Sequence, residues 1–154
     1  MAIPKKEKII IWVLIVLAAI NLFVVFWHYT MDLQARFPNM DFSRQHWGVA
    51  SWYSEKDKFI NKRTANNEKF DDDAMTCASW YYPFHEKLLV VNALNLKWVV
   101  CRVNDRGPAK RLKREIDLTH AAFRKISHSK KGLILVTVIP IEKQKVKNPA
   151  PANT

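Results

Sequence analysis

Cysteine is scarce in this chain of 154 residues, and acidic residues are fewer than basic ones. The two cysteines, Cys77 and Cys101, lie far apart, with no Cys-x-x-Cys motif and no cluster of histidines. This pattern argues against a zinc site, and we expect neither a metal nor a cofactor. No repeat with a period of roughly 20 to 50 residues is present, which argues against a solenoid or a propeller.

A long apolar run lies near the N terminus. Residues 9–27 are apolar except for Asn21, and a helix of about 19 residues at about 1.5 Å each is long enough to cross a hydrocarbon core. The basic flank Lys5-Lys6-Glu7-Lys8 predicts that residues 1–8 are cytoplasmic and that the chain after the run is exported. We therefore expect a single-pass transmembrane anchor. The alternative is a cleaved signal peptide whose apolar region ends at Leu17-Ala18-Ala19.

The remaining chain has room for one small domain. Residues 28–46 contain polar residues and Pro38 without a clear period, which predicts a tether. Residues 47–142 carry short β-rich runs separated by turn residues, as in a compact β domain. Residues 143–154 are rich in lysine and proline without an apolar stripe, which predicts a disordered basic tail.

The chain carries 25 Lys and Arg residues against 14 Asp and Glu residues, for a formal net charge of +11. Basic clusters at 110–114, 124–125 and 130–131 would suit nucleic acid on charge alone. Export across a membrane argues against a nucleic-acid partner. Anionic envelope polymers, lipid headgroups or a plain solvated face remain as interpretations.

The exported part has recognisable local elements. Strands are expected at residues 88–91, 98–103 and 133–139. The first two are rich in β-branched and aromatic residues and form a hairpin. A short helix is expected over Leu118–Ile126, with Asp117 or Thr119 as its N-cap.

The segment Asn104-Asp105-Arg106-Gly107-Pro108 follows one of these apolar strands. A buried strand that leads an acidic side chain into a tight turn holds a carboxylate at the rim of a sheet. By itself this pattern is equally typical of a plain turn with a surface ion pair. Three further segments accompany it, at 48–53, 64–70 and 116–119, and they shift the interpretation towards function.

The order and spacing of these four segments resemble the double-psi β-barrel domain of the rare lipoprotein A family, whose members are peptidoglycan lytic transglycosylases. The resemblance implies a mainly β fold, a six-stranded double-psi β-barrel with a short helix, placed after the transmembrane helix. It implies a bacterial inner-membrane protein whose barrel faces the periplasm and cell wall. Peptidoglycan glycan strands are the expected partner, with division or envelope proteins as further candidates.

Lytic transglycosylases cleave between N-acetylmuramic acid and N-acetylglucosamine without water, because the muramyl 6-hydroxyl attacks its own anomeric carbon. This reaction needs a proton donor for the leaving oxygen and a base for the hydroxyl. The resemblance implies Asp105 as the acid/base, assisted by Glu68. Contacts to substrate are expected from Trp52, Tyr53, Thr64, Asn66, Ser79 and Arg106.

Three residues are given structural roles. Asp117 is expected to brace the Asp105 turn through an ion pair with Arg106. Cys77 and Cys101 both lie in the exported part, where a disulfide is permitted. Closing a loop of about 24 residues would contribute on the order of 3 kcal/mol. Two unpaired buried thiols are the alternative.

The sequence departs from the family pattern at several points. Ser79 stands where the family carries a histidine, and His85 stands where it carries a glycine after Pro-Phe. No cysteine lies directly after the apolar run, where a lipid would be attached. A non-catalytic glycan-binding or envelope-scaffold module is therefore the alternative function, and a hydrolase that releases reducing ends is a third.

Overall fold

The structure is a computed structural model that describes residues 4–56 and 61–142. It divides into two compact units, Met1–Pro38 and Asn39–Thr154. The predicted disordered tail, 143–154, lies outside the described residues and stays a prediction.

The first unit contains helix α1, Lys5–Arg36. It includes the predicted span 9–27 and continues to Arg36, so part of the predicted tether, 28–46, is helical, and its role as a tether stays a prediction. An ion pair between Asp32 Oδ2 and Arg36 Nε at 3.0 Å supports the last turn, and the helix ends before Pro38, as the residue preceding a proline disfavours helical backbone. By length and composition α1 is able to cross a membrane.

The second unit contains six strands and a short helix within its described residues. The strands are β1 His46–Tyr53, β2 Thr76–Ala78, β3 Lys87–Asn92, β4 Trp98–Asp105, β5 Ile116–Thr119 and β6 Ile134–Ile141, and the helix is α2 His120–Ile126. The strands close into a barrel in the order β1-β5-β2-β4-β3-β6. Pairs β1/β5 and β2/β4 are parallel and the other four are antiparallel. The expected six-stranded barrel with a short helix is confirmed.

Alternating side chains of the strands fill the barrel interior, as the two-residue period of a strand requires. Fully buried members include Leu88, Val90, Val103, Leu118 and Val136. Helix α2 adds three side chains of its own to the core, which are Ala122, Phe123 and Ile126.

Several element boundaries differ from the sequence-based expectation. Helix α2 begins at His120 and not at Leu118, because residues 116–119 pair with β1 and β2 as strand β5. The Thr119 hydroxyl donates to the Ala74 carbonyl at 2.6 Å and makes no cap. Strand β6 continues through Pro140, whose carbonyl accepts from the Asp41 N–H at 2.9 Å.

The disulfide between Cys77 and Cys101 is present, with the two Cα atoms 5.9 Å apart. It links β2 to its neighbour β4, and both residues are buried. The prediction of a disulfide is confirmed. Since β2 has only three residues, the covalent link anchors a strand that has few ladder hydrogen bonds.

Replacing both cysteines with alanine is expected to lower the free energy of unfolding by about 3 kcal/mol, because the unfolded chain regains the freedom that the closed loop removes. Chemical denaturation of the full chain in detergent, followed by circular dichroism, measures the change. The wild type under reducing conditions is the matched control and should unfold with the double variant. An unchanged midpoint in both would contradict the prediction.

Candidate active site

An open groove of about 640 Å³ lies where β1, β4 and β5 end. We call it the acid groove; its lining includes Trp52, Tyr53, Asp105, Arg106 and Asp117. Two carboxyl groups thus share one depression in the barrel surface.

Strand register explains why the two acids meet. Strand β2 lies between β4 and β5, and Ala78 pairs with Asp105 on one side and with Asp117 on the other. Neighbouring strands are about 4.8 Å apart, so the two acids are held about two strand spacings from each other. A register shift at Cys77/Ala78 accompanies the pairing, and such irregularities re-aim side chains at the rims of barrels.

Asp105 is held by two backbone donors. Its Oδ1 atom accepts from the N–H of Ala65 and from the N–H of Arg106, each at 2.8 Å. The first of these bonds ties the end of β4 to the loop 64–68. The carboxylate therefore has a defined orientation at the groove, and its second oxygen makes no hydrogen bond to the residues that the structure describes.

Asp117 is the more deeply buried of the two acids, with 8% of its surface exposed. Its Oδ2 accepts from Arg114 Nη2 at 2.9 Å, while its Oδ1 is buried without a hydrogen-bond partner among the described residues. Burial raises the pKa of Asp117 above its usual range, although Arg114 acts in the opposite direction. A carboxyl group in this environment holds its proton to higher pH than an exposed one.

The expected ion pair between Arg106 and Asp117 is wrong, because Arg114 is the partner of Asp117. Arg106 instead donates through Nη1 to the carbonyls of Ser79 at 2.7 Å and Tyr82 at 2.8 Å. Its guanidinium lies 3.8 Å from the centre of the Phe84 ring. Arg106 therefore holds the loop after β2 in place while it lines the acid groove.

Tyr53 also lines the acid groove. Its ring packs against Phe70 with 4.9 Å between centres, and its hydroxyl is buried without a hydrogen-bond partner within the described part of the chain. Burial, followed by the nearby charges of Asp105 and Asp117, raises the pKa of Tyr53. The hydroxyl therefore stays protonated and can donate a hydrogen bond.

Glu68 lies in the loop 64–68 and does not line the acid groove. Its carboxylate accepts from both Arg102 terminal nitrogens, at 2.7 and 2.8 Å, and from Asn66 and Asn104, at 2.8 and 3.1 Å. Arg102 and Asn104 belong to β4, so these bonds tie the loop 64–68 to that strand. The Arg102 fork lowers the pKa of Glu68 to about 2, which keeps it ionised and unsuited to donate a proton. Its described contacts brace the loop that reaches Asp105.

Thr64 and Asn66 are also committed to that loop. The Thr64 hydroxyl donates to Asn66 Oδ1 at 2.7 Å, and Thr64 is only 5% exposed. Ser79 is fully buried, and its hydroxyl accepts from the Tyr81 N–H at 3.2 Å. The structure does not support a direct substrate contact for Thr64 or Ser79.

Trp52 does line the acid groove. Its ring lies 4.7 Å from that of His120, and its Nε1 donates to the Ser129 carbonyl at 3.2 Å. No histidine lines the groove among the described residues; the His85 ring lies near Arg102, with 3.4 Å between Nδ1 and Nη1. His85 therefore lies outside the acid groove.

No group of three or more His, Cys, Asp or Glu side chains suited to a metal occurs within residues 4–56 and 61–142. The lining of the acid groove thus includes two carboxyls, the rings of Trp52 and Tyr53, two arginines and Lys56. The sequence reasoning missed the place of Asp117 in this groove. One acid within the apolar run Ile116–Thr119 was the signal that could have revealed it.

Comparison with known proteins places the barrel in a family context. A family model described as lytic transglycolase matches residues 45–138. Two relatives are named endolytic peptidoglycan transglycosylase RlpA, one from Pseudomonas aeruginosa, 41% identical over 95 residues, and one from Rickettsia bellii, 38% identical over 102 residues. These matches cover 62% and 66% of this chain, and 27% and 44% of the relatives. A probable RlpA from Nostoc sp. is 40% identical over 61% of this chain and 24% of its own length. The chain thus spans less than half of these relatives.

Two solved structures share the fold. A papain inhibitor from Streptomyces aligns with a TM-score of 0.50 at 19% identity, over 64% of this chain and 94% of its own. The apo form of an expansin from Clavibacter michiganensis aligns with a TM-score of 0.50 at 20% identity, over 64% of this chain and 51% of its own. Together with the family match, these alignments confirm the expected double-psi β-barrel.

Replacing Glu68 with glutamine is expected to lower the free energy of unfolding at pH 7 by about 1 kcal/mol, the range for a partly exposed ion pair. Because the folded pKa is depressed, from 4.5 to about 2, the stabilisation is present above about pH 4.5 and is lost as the pH falls towards 2. Denaturant unfolding at several pH values tests this. Exposed Glu55→Gln is the control, and a difference that persists at pH 2 would contradict the assignment.

Proposed function

The chain belongs to the lytic transglycolase family, and from this membership we propose that its barrel cleaves the bond between N-acetylmuramic acid and N-acetylglucosamine in peptidoglycan, leaving 1,6-anhydromuramyl ends. The observation that carries the proposal is the pair of carboxyl groups, Asp105 and Asp117, opposite Ala78 in one open groove. The names of the relatives support the same reaction.

The reaction needs two proton transfers, one to the leaving oxygen and one from the attacking hydroxyl. The bond between the muramyl anomeric carbon and the oxygen of the next sugar breaks, and that oxygen takes a proton from an acid. The 6-hydroxyl oxygen of the same muramyl residue bonds to the anomeric carbon and gives its proton to a base. No water enters, so the groove needs an acid, a base and a means of orienting the sugar.

Asp117 is suited to the acid role, because burial raises its pKa and so keeps the carboxyl protonated to higher pH. Asp105 is suited to the base role, because two backbone N–H groups orient it and leave one oxygen for the substrate hydroxyl. If Asp117 acts only as structure, Asp105 serves both steps in turn. The variants described below separate these two schemes.

Other groove residues position the substrate in this proposal. The Trp52 ring offers a flat apolar face to a pyranose, while the protonated Tyr53 hydroxyl lies buried near both carboxyls. Glu68 acts through the loop 64–68, whose Ala65 N–H holds Asp105. Arg106 shapes the groove by holding the carbonyls of Ser79 and Tyr82.

Helix α1 would tether this activity to the cell envelope. An N-terminal apolar helix of this kind is either a membrane anchor or a signal sequence. We favour an anchor in the inner membrane, with the barrel on the cell-wall side, since the basic flank precedes the helix and peptidoglycan is the substrate.

An anchored protein is expected to sediment with membranes and to keep its N terminus. Intact-mass measurement of the chain isolated from the membrane fraction, together with protease accessibility of the barrel in spheroplasts, tests both points. A soluble product shortened near Ala19 would show a cleaved signal peptide, and protection of the barrel in spheroplasts would contradict the orientation.

The activity is tested by incubating the detergent-purified full chain with sacculi and with peptide-free glycan strands, followed by mass spectrometry of the products. We expect anhydromuramyl ends, and at least about a 100-fold lower rate in Asp105→Asn and Asp117→Asn, as for loss of an acid/base group. Exposed Asp73→Asn is the matched control. Reducing ends would indicate a hydrolase, and retained strand binding without products would indicate a glycan-binding module.

The pH dependence separates the roles of the two acids. Because the acid must be protonated, the wild-type rate is expected to fall as the pH rises through the raised pKa of Asp117. In Asp117→Asn the residual rate should lose this alkaline limb. If Asp117→Asn keeps both the rate and the limb, Asp105 serves both steps.

A further inference from the structure

A second depression, of about 550 Å³, borders the acid groove. We call it the aromatic-basic groove, and define it by Trp47, Trp80, Tyr81, Lys110 and Lys113. Pro108 and Arg114 line both depressions, so the two share a wall. Its volume lies within the roughly 300 to 1,000 Å³ typical of ligand sites.

Three large rings are exposed in this groove. Trp47 is 66% exposed, Trp80 50% and Tyr81 57%. A cluster of exposed apolar rings is unusual on a protein surface and often marks a binding site. Trp80 is oriented by its Nε1, which donates to the Pro108 carbonyl at 2.7 Å. The Tyr81 ring lies 4.7 Å from the His46 ring. Flat apolar faces that are held in place and accessible are suited to stacking against sugar rings.

The exposed charges of the groove are positive. Lys110 and Lys113 are both exposed, and Lys110 Nζ lies 5.5 Å from the centre of the Trp80 ring. The acid in the lining is Glu115, which is 8% exposed and has Oε1 3.3 Å from His46 Nδ1. Burial raises the pKa of Glu115, although His46 acts in the opposite direction, and because Glu115 is buried, Lys110 and Lys113 dominate the exposed charge of the groove.

The third cation of the lining faces the other groove. Arg114 is paired with Asp117, Nη2 to Oδ2 at 2.9 Å, so it links the two depressions. The two lysines remain as the groove's cations for an anionic ligand. Rings beside cations favour a ligand with a sugar face and a carboxylate.

We propose that the aromatic-basic groove binds the same glycan strand on one side of the cleaved bond. The rings stack against sugars, and Lys110 and Lys113 pair with the lactyl carboxylate of an N-acetylmuramic acid that carries no stem peptide. The inference rests on the proposed function, because that function places a muramyl residue in the adjoining acid groove. It adds a subsite that selects anionic muramyl glycan over neutral glycan.

Binding of two soluble ligands to the full chain in detergent tests the proposal. One ligand is a peptide-free muramyl glycan oligosaccharide, and the other is a neutral oligomer of N-acetylglucosamine. Affinities are measured by calorimetry in an Asp105→Asn background, so that cleavage does not interfere. The variants are Lys110→Glu/Lys113→Glu and Trp47→Ala. Lys97→Glu/Lys131→Glu, at exposed lysines of another depression, is the charge-matched control.

The background protein should bind the muramyl glycan more tightly than the neutral oligomer, with a preference that salt weakens. Reversing Lys110 and Lys113 should reduce muramyl binding by roughly three- to tenfold, as for loss of two exposed ion pairs, and leave neutral binding unchanged. Trp47→Ala should weaken both ligands. The control pair should match the background protein.

Three results would overturn the proposal: equal affinity for the two glycans, unchanged muramyl binding in the Lys110/Lys113 variant, or an equal loss in the control pair. If binding of short-chain phosphatidylglycerol depends on the two lysines and binding of the glycans does not, the groove is assigned to lipid instead. If the wild type forms the expected products and the Lys110/Lys113 variant keeps its affinity for the muramyl glycan, only this subsite is refuted. If the wild type forms no products but glycan binding depends on the two lysines, only the proposed cleavage is refuted.

Discussion

The double pairing of Ala78 is the constraint on which the candidate active site depends. Strand β2 has only three residues, yet it separates β4 from β5 and sets the positions of Asp105 and Asp117 on either side. Such a short strand is weakly held by its own ladder. The disulfide from Cys77 to β4 compensates, because it fixes the residue next to Ala78.

Acids around β4 and β5 differ in role because their surroundings differ. Glu68 meets the Arg102 fork, and its pKa falls to about 2, so it acts as a permanent negative charge. Asp117 has one charged partner and a buried, unpaired oxygen within the described chain, and burial raises its pKa. One barrel therefore holds an ionised brace and a candidate proton donor, because the surroundings of the two carboxyls move their pKa values in opposite directions.

The segment after β4 connects the site to its surroundings. Arg106 donates to two carbonyls of the loop after β2. The Pro108 carbonyl accepts from Trp80 Nε1, and Arg114 pairs with Asp117. The wall between the acid groove and the aromatic-basic groove is thus held from both sides. A polymer that lies across this wall would meet the two carboxyls on one side and rings with lysines on the other.

The sequence by itself determined the apolar helix, the hairpin of β3 and β4, the one possible pairing of the two cysteines and the position of Asp105 at a strand end, because each follows from local periodicity, composition or a single pairing choice. Through its motifs it also indicated the family. Only the tertiary structure decided that Asp117 lines the acid groove and pairs with Arg114. These contacts depend on the register of β2, β4 and β5, which joins residues distant in the chain. Burial of Asp117 and ionisation of Glu68 likewise depend on neighbours that only the closed barrel supplies.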